Sequence, residues 1–254
     1  IGEAHVAVRD DADEAAAALR ADAIEVRSGD VDLDGLLAAL ERLGVDTRLS
    51  AAAIAAQDHS YSPTESNRVA RFRFWERAVE GRRPLTSRFW PADDVPPELT
   101  RLRAAAGCLA PLGVPVIAGD TGPAALLGEM EDETTAVLAN IGNAHVVCAV
   151  ALDGDLAGVL EHHTRLLDEE RLATLVRRFL AGDVTDAEVR DDGGHGALLR
   201  APVPADLPLL VTGPNRALLA ASGLPMRFPA PYGDMMMAGP AGLLRASRAH
   251  GLWA

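Results

Sequence analysis

Five short apolar runs, each stopped by a cluster of Gly with Asp, Asn, His or Thr, constrain this chain more than any other feature. They occupy residues 51–60 (AAAIAAQDHS), 114–123 (VPVIAGDTGP), 135–145 (TAVLANIGNAH), 156–164 (LAGVLEHHT) and 207–216 (LPLLVTGPNR). An apolar run of about four to eight residues bounded in this way is a buried strand feeding a loop. In open α/β sheets, ligands sit at the carboxyl ends of the strands, where loop backbone and polar side chains converge. Five such strand ends predict an α/β chain with one large polar ligand cleft.

At 254 residues, the chain is long enough for one large domain or two lobes. Its net charge of −13 argues against nucleic acid as a partner, because phosphate contacts need clustered Lys and Arg. The densest basic stretch, residues 68–83, alternates Arg with Phe72, Phe74 and Trp75 and reads as a helix face rather than a base-stacking platform. The two cysteines, Cys108 and Cys148, fall in or beside apolar segments and read as core residues. No apolar stretch reaches the ~20 residues that span a bilayer, and no basic-then-apolar leader comes first. A cytoplasmic protein without a membrane partner is expected. The opening residues enter as if in the middle of a fold, so further residues upstream are expected in the natural protein.

Along the chain, residues 5–8 read as a strand, 13–21 as an Ala-rich helix, and the segment up to 27 as another strand. An acidic helix start follows in GDVDLDGLLAALERLGV, with a stop at Gly44. The strand at 51–57 leads to a helix over 65–79, a Pro-rich surface loop over 81–99 and a helix over 99–110. A strand at 114–118 and a short helix at 124–130 come next, with a lobe boundary near 131–134. The lobes are then residues 1–132 and 133–254. The second opens on apolar runs at 136–141, 145–152 and 156–160, the last two joined by Asp153-Gly154, a tight-hairpin signal. A helix over 168–181, a loop containing DDGGHG, a strand at 209–212, a helix from Arg216 and a last helix from about Asp234 complete the pattern. The order β-β-β-α-β-α-(β)-α matches one lobe of a ribonuclease H-like domain.

The strand ends supply the candidate chemistry. In the NIGNAH turn, Gly142 lets backbone N–H groups approach an anion, and Asn143 or His145 can add hydrogen bonds. The plain alternative is a hairpin that uses Asn and Gly for backbone reasons. In GDTG, Asp120 can hold a cation beside an anion-binding helix start at Thr121 and Gly122, or simply cap that helix. Asp58 and His59 pair a carboxylate with an imidazole, equipment for deprotonating a hydroxyl or water. Adjacent His162 and His163 face opposite sides of a strand, so only one can face the cleft. Either can ligate a metal with Asp191, Asp192 or His195; hydrogen-bonded strand-end histidines are the alternative. Gly213 and Pro214 open a β–α turn where a nucleoside can approach, and Arg216 can stack on a base or pair with phosphate. Asp234 caps the last helix and can touch a ligand from there.

The strings GDVDLD, QDHSYSPTESNR, DTGPAALLG, NIGNAH, EHHT, DDGGHGA, TGPNRALL and APYGDMMMAGPAGLL run in order from Gly29 to Leu244. They resemble a family of unknown function labelled as pyruvate formate-lyase activating. The same turns resemble the actin, sugar-kinase and heat-shock chaperone superfamily. That resemblance implies actin-like ATPase lobes of mixed sheets flanked by helices, the first lobe lacking its N-terminal phosphate motif. It also implies ATP with Mg²⁺ as cofactor: NIGNAH and GDTG on the phosphates, TGPNR on the nucleoside, a small-residue last helix closing the cleft. Asn140 stands where the superfamily uses Asp, and an amide cannot carry the charge that holds Mg²⁺. The activating label calls for three closely spaced cysteines on an iron–sulfur cluster, which Cys108 and Cys148 do not provide.

Three readings follow. The leading one is a nucleotide-binding phosphotransferase or ATPase with Asp58, His59 and Asp120 at the reacting end. The second is a metal-dependent hydrolase using His59, His162, His163, Asp191, Asp192 and His195, with a transition metal at the histidine cluster; Asp120 is the metal candidate of the first reading, for Mg²⁺. The third is a non-enzymatic sensor that switches lobe orientation on binding a small molecule.

Overall fold

The computed structural model describes residues 29–252, apart from 202 and 221, together with the isolated residue 17. The strands expected over 5–8 and up to 27, and the helix expected over 13–21 apart from residue 17, lie outside the described residues. The described chain is mixed α/β, built on two sheets.

The smaller sheet has three strands, β1 (Ala52–Ala55), β2 (Phe89–Pro91) and β3 (Val116–Gly119). β3 lies in the middle, parallel to β1 and antiparallel to β2. β2 falls inside the stretch expected as a Pro-rich loop. Three residues ending in Pro carry almost no strand signal, and Pro91 is tolerated because β2 is an edge. Helix α1 (Leu33–Arg42) precedes this sheet, and α2 (Asn67–Glu80) and α3 (Thr100–Gly107) leave its strand ends. Helix α2 starts where SPTESNR predicts, with the Ser66 hydroxyl accepting from Val69 N.

The larger sheet contains β4 (Ala136–Ile141), β5 (His145–Leu152), β6 (Asp155–His163), β7 (Gly196–Leu199), β8 (Leu209–Thr212) and β9 (Met226–Arg227). Its order is β7-β6-β5-β4-β8-β9, antiparallel from β7 to β4 and parallel from β4 to β9. β4 and β5 are covered on both faces, which is why they read as unbroken apolar runs rather than alternating ones. Asp153 (φ 53°) and Gly154 (φ 89°) both take left-handed backbone, the two-residue turn whose twist matches the β5–β6 hairpin. β6 runs three residues beyond the expected apolar segment, carrying Glu161, His162 and His163 into the sheet. β9 takes the place of the strand bracketed in the expected order, whereas β7 and the short helix α6 (Asp186–Asp191) were not legible as elements.

Helix α5 (Glu169–Leu180) covers one face of this sheet, its Leu172, Val176 and Phe179 packing on Val137, Ala139, Val146, Cys148 and Leu160. Asp168 caps it, acids open it and Arg177 and Arg178 close it, in line with the helix dipole. Burying Phe179 alone is worth about 2–3 kcal/mol. The other face takes α2 and helix α4 (Thr121–Glu129), where Phe72, Trp75, Leu126 and Leu127 meet Leu138, Val147, Ala149 and Val159. After the four-residue helix α7 (Ala217–Ala220) comes the last described helix, α8 (Ala238–Ala249), which packs along α4 and against β1 and β3. The expected lobe boundary falls between the two sheets in sequence, but α2 and α8 each cross it in space. Among the described residues, no helix is long and apolar enough to cross a membrane.

Candidate functional site

β4, β5, β6 and β8 bring their polar ends to one rim: Asn140 pairs with Thr212 in register, and His145 with His163. The turn between β4 and β5 is pinned there. Gly142 N donates to His145 O (2.9 Å), and Gly142 O accepts from Thr164 Oγ1 (2.7 Å) and Asn215 Nδ2 (3.0 Å). Asn215 Nδ2 also donates to Asn143 Oδ1 (3.2 Å), and its backbone N to Ile141 O (3.0 Å). The Gly142 N–H is thus spent inside the hairpin, whereas the backbone N–H groups of exposed Asn143 and Ala144 have no acceptor among the described residues. Gly213 (φ 98°) is required by the protein itself: a Cβ there would stand 2.4 Å from Ile141 O and 2.7 Å from Asn140 Oδ1.

Three histidines meet beside this turn. His145 opens β5, His163 closes β6, and His195 immediately precedes β7. One ring nitrogen from each lies within 4.8 Å of the others, and the ring centroids are 4.8–4.9 Å apart. Glycines seat the third ring. A Cβ at Gly194 would sit 2.5 Å from His162 Cδ2, and one at Gly196 2.7 Å from Phe72 Cδ1, so only a bare backbone lets this loop lie against β6 and α2. His195 N then donates to Glu161 O (2.9 Å). Neither ring nitrogen of buried His195 has a hydrogen-bond partner among the described residues, nor does His145 Nε2. Gln57 Nε2 meets His145 Nδ1, and the His59 ring lies 5.6 Å from that of His145. Burial pushes His145 down to about 4 and His195 to about 3, and lowers His163 as well, so all three are neutral at neutral pH.

Arg71 forms a charged bed next to the cluster. From α2 its Nε donates to Glu161 Oε1 (2.8 Å), while Nη1 donates to Asp120 Oδ2 (2.5 Å) and to Asp58 O. Trp75, one turn on, donates Nε1 to Glu161 Oε2 (3.2 Å). Asp120 caps α4 by accepting from Gly122 N (3.0 Å), and Asp58 N donates to its other oxygen (3.2 Å). Its acceptor positions are filled, and a guanidinium stands where a Mg²⁺ was expected. Burial works against all three charges. The two carboxylates nevertheless keep the Arg71 pKa raised, and Arg71 holds the carboxyls of Asp120 and Glu161 below their usual range. Arg88, also buried, lies over Phe74, Trp75 and Trp90 at 5.0–5.3 Å, and burial lowers its pKa to about 10.

The remaining candidates divide between structural bonds and open surface. Asp58 is buried, its carboxylate accepting from Ser60 N (2.7 Å) and Leu102 N (2.8 Å), which ties the loop after β1 to α3. His59, Thr121, Asn143 and Pro214 are exposed, and half-buried Arg216 donates to Gly213 O (3.3 Å). Exposed Asp234 caps the turn at Met235–Met237 rather than α8 itself, accepting from Met236 N (2.9 Å). His162 faces away from His163 into a cavity of about 400 Å³ with Arg171 and Asp192, its Nε2 3.2 Å from Asp192 Oδ2. It therefore stands apart from His145, His163 and His195. Asp192 is paired with Arg171 (2.7 Å).

Sequence reasoning placed His145 with phosphate rather than with the histidines, and missed Gln57, Arg71 and Trp75. Arg71 and Trp75 did carry a signal: a charge and an indole four residues apart share one helix face, and that face is buried. Cys108 and Cys148 are free thiols, the second buried and pushed up to about 12 by burial and by Glu129. No curated protein sequence matches the chain. A family model matches residues 4–218, and the chain belongs to that family, described as "Putative pyruvate format-lyase activating enzyme (DUF1786)".

Proposed function

We propose that the chain is a nucleotide-binding protein with actin-like lobes, acting as an ATP-dependent phosphotransferase or ATPase. The observation that carries this reading is the strand order β6-β5-β4-β8-β9: a three-stranded antiparallel meander followed by two strands parallel to its first. That is the order of a ribonuclease H-like lobe. A second feature supports it. α4, which starts at the cleft, and α8, the last described helix, cross through Gly128 and Gly242 so closely that a Cβ at either would strike the other's backbone.

In this reading the free N–H groups of Asn143 and Ala144 receive a phosphate, and the start of α4 at Thr121 faces it from the other sheet. Gly213–Arg216 borders the nucleoside, with Asp234 beyond it. Exposed His59 is the proton acceptor best placed to move, since Asp58 is tied down on both oxygens. Mg²⁺ fits poorly at Asp120, whose oxygens are taken by Arg71 and two backbone amides, and at Asn140, which is an amide. The iron–sulfur chemistry of the family label lacks its cysteines in this chain.

Calorimetric titration with Mg-ATP and Mg-ADP tests the proposal. Saturable one-to-one binding is expected, and Ala144→Pro, which deletes one turn N–H at an exposed site, weakens it about tenfold or more. Absence of saturable heat up to millimolar nucleotide, or unchanged affinity in Ala144→Pro, overturns it. Multiple-turnover phosphate release then separates an enzyme from a switch.

A further inference from the structure

We propose that His145, His163 and His195 form a binding site for a borderline divalent transition metal such as Zn²⁺. This inference stands independently of nucleotide binding. It also differs from the ligand set expected from sequence, in which His162, Asp191 and Asp192 were candidates and His145 was not.

Three separate segments deliver the imidazoles to one point: the start of β5, the end of β6 and the DDGGHG loop. Both nitrogens of His195 and Nε2 of His145 lie buried without any protein partner among the described residues. Leaving a buried polar atom unmade costs about 1–3 kcal/mol, so three of them at one place call for an occupant. The 4.8 Å spread of the ring nitrogens needs only to close to the roughly 3.3 Å between nitrogens of a tetrahedral site, a shift of about 1 Å for each ring.

The surroundings match such a site. Glu161, whose backbone carbonyl anchors His195, has its carboxylate held by Arg71 and Trp75, so it stays fixed beside the cluster. Gln57 sits on His145 Nδ1. With a metal on Nε2, Nδ1 carries the proton, and a flip of the Gln57 amide presents Oε1 to accept it. Three neutral imidazoles without thiolate or free carboxylate favour Zn²⁺, Co²⁺, Ni²⁺ or Cu²⁺ over Mg²⁺ or Ca²⁺. Three protein ligands also leave one position open, the pattern of zinc sites that bind water or substrate.

The test is titration of chelator-treated protein with Co²⁺, read by visible absorption, followed by Zn²⁺ competition. One Co²⁺ per chain with the strong bands of a four- or five-coordinate site is expected, displaced by Zn²⁺ and not by millimolar Mg²⁺. His163→Ala, at a half-exposed position, and His195→Ala should each weaken binding about 100-fold or more, and Gln57→Ala about 10-fold. His162→Ala, on the opposite face of the same strand, should retain wild-type affinity; circular dichroism verifies that each variant is folded. No Co²⁺ binding by wild type, or equal binding by folded His163→Ala, overturns the proposal.

Discussion

Where α4 crosses α8, the structure predicts a penalty for the smallest possible side chain. A Cβ at Gly242 would stand 1.9 Å from Ala124 O and 3.0 Å from Gly128 N. A Cβ at Gly128 would stand 1.8 Å from Ala238 O. These are backbone atoms that cannot swing aside, so the helices must part by about 1.3 Å to restore an ordinary contact. Overpacking of this kind costs about 1–3 kcal/mol, and the better helix propensity of alanine returns up to about 1 kcal/mol. Gly242→Ala should therefore lose about 1–2 kcal/mol. For a chain of this size, that lowers Tm by about 2–4 °C per kcal/mol. Gly128→Ala should do the same, and the double variant should lose less than the sum, because one separation relieves both clashes. Gly107→Ala, with nothing within 4 Å of its Cβ, is the control and should be neutral or slightly stabilising. Urea unfolding measures all four variants. If Gly242→Ala is as stable as wild type, the close crossing is wrong.

Three further outcomes follow from buried polar groups. Arg71→Met leaves Asp120 and Glu161 as unpaired buried carboxylates and should cost about 3–5 kcal/mol in chemical denaturation; a loss under about 1 kcal/mol contradicts the pairing. Glu129 is buried with no well-formed hydrogen bond to its carboxyl oxygens among the described residues, and burial pushes its carboxyl well above the usual range against a smaller opposing effect of the Ala139 backbone. A raised pKa in the folded state gives stability that is fully present below the unfolded value and declines as pH rises, by up to about 1.4 kcal/mol per unit. Glu129→Gln should flatten the stability profile above about pH 4.5 and be the more stable protein at pH 8; parallel profiles refute this. Asn215→Ala removes two side-chain bonds to the turn at Gly142 and Asn143 and should cost about 1–2 kcal/mol in thermal unfolding, with faster amide exchange at 141–145. Unchanged exchange would show that the turn holds itself.

The sheets were legible because apolar runs buried on both faces look like nothing else, and β4, β5 and β8 fall where those runs lie. β6 was read short, since Glu161 and His162 interrupt the pattern. They remain in the strand because Arg71 and Trp75 satisfy the carboxylate from α2, a partnership across ninety residues that leaves no local trace. DDGGHG was read as loop from its glycines. In the structure those glycines admit α6 and β7 close to β6, and His195 arrives with them. Alternation showed that His162 and His163 must part, yet which one enters the site depends on which face α2 covers. Asp120 is the clearest case. As a helix cap and as a cation ligand it has the same sequence signature, and the guanidinium that decides between them comes from another helix.

The central claim, that the strand ends of both sheets line one nucleotide cleft, is tested most directly by amide hydrogen exchange with and without saturating Mg-ATP. The turn at 141–145, the β8–α7 junction at 212–217 and the segment at 230–238 should slow together, while the β5–β6 hairpin at 152–155, at the opposite end of the larger sheet, remains unchanged. Protection confined to other segments, or none at all, would contradict it.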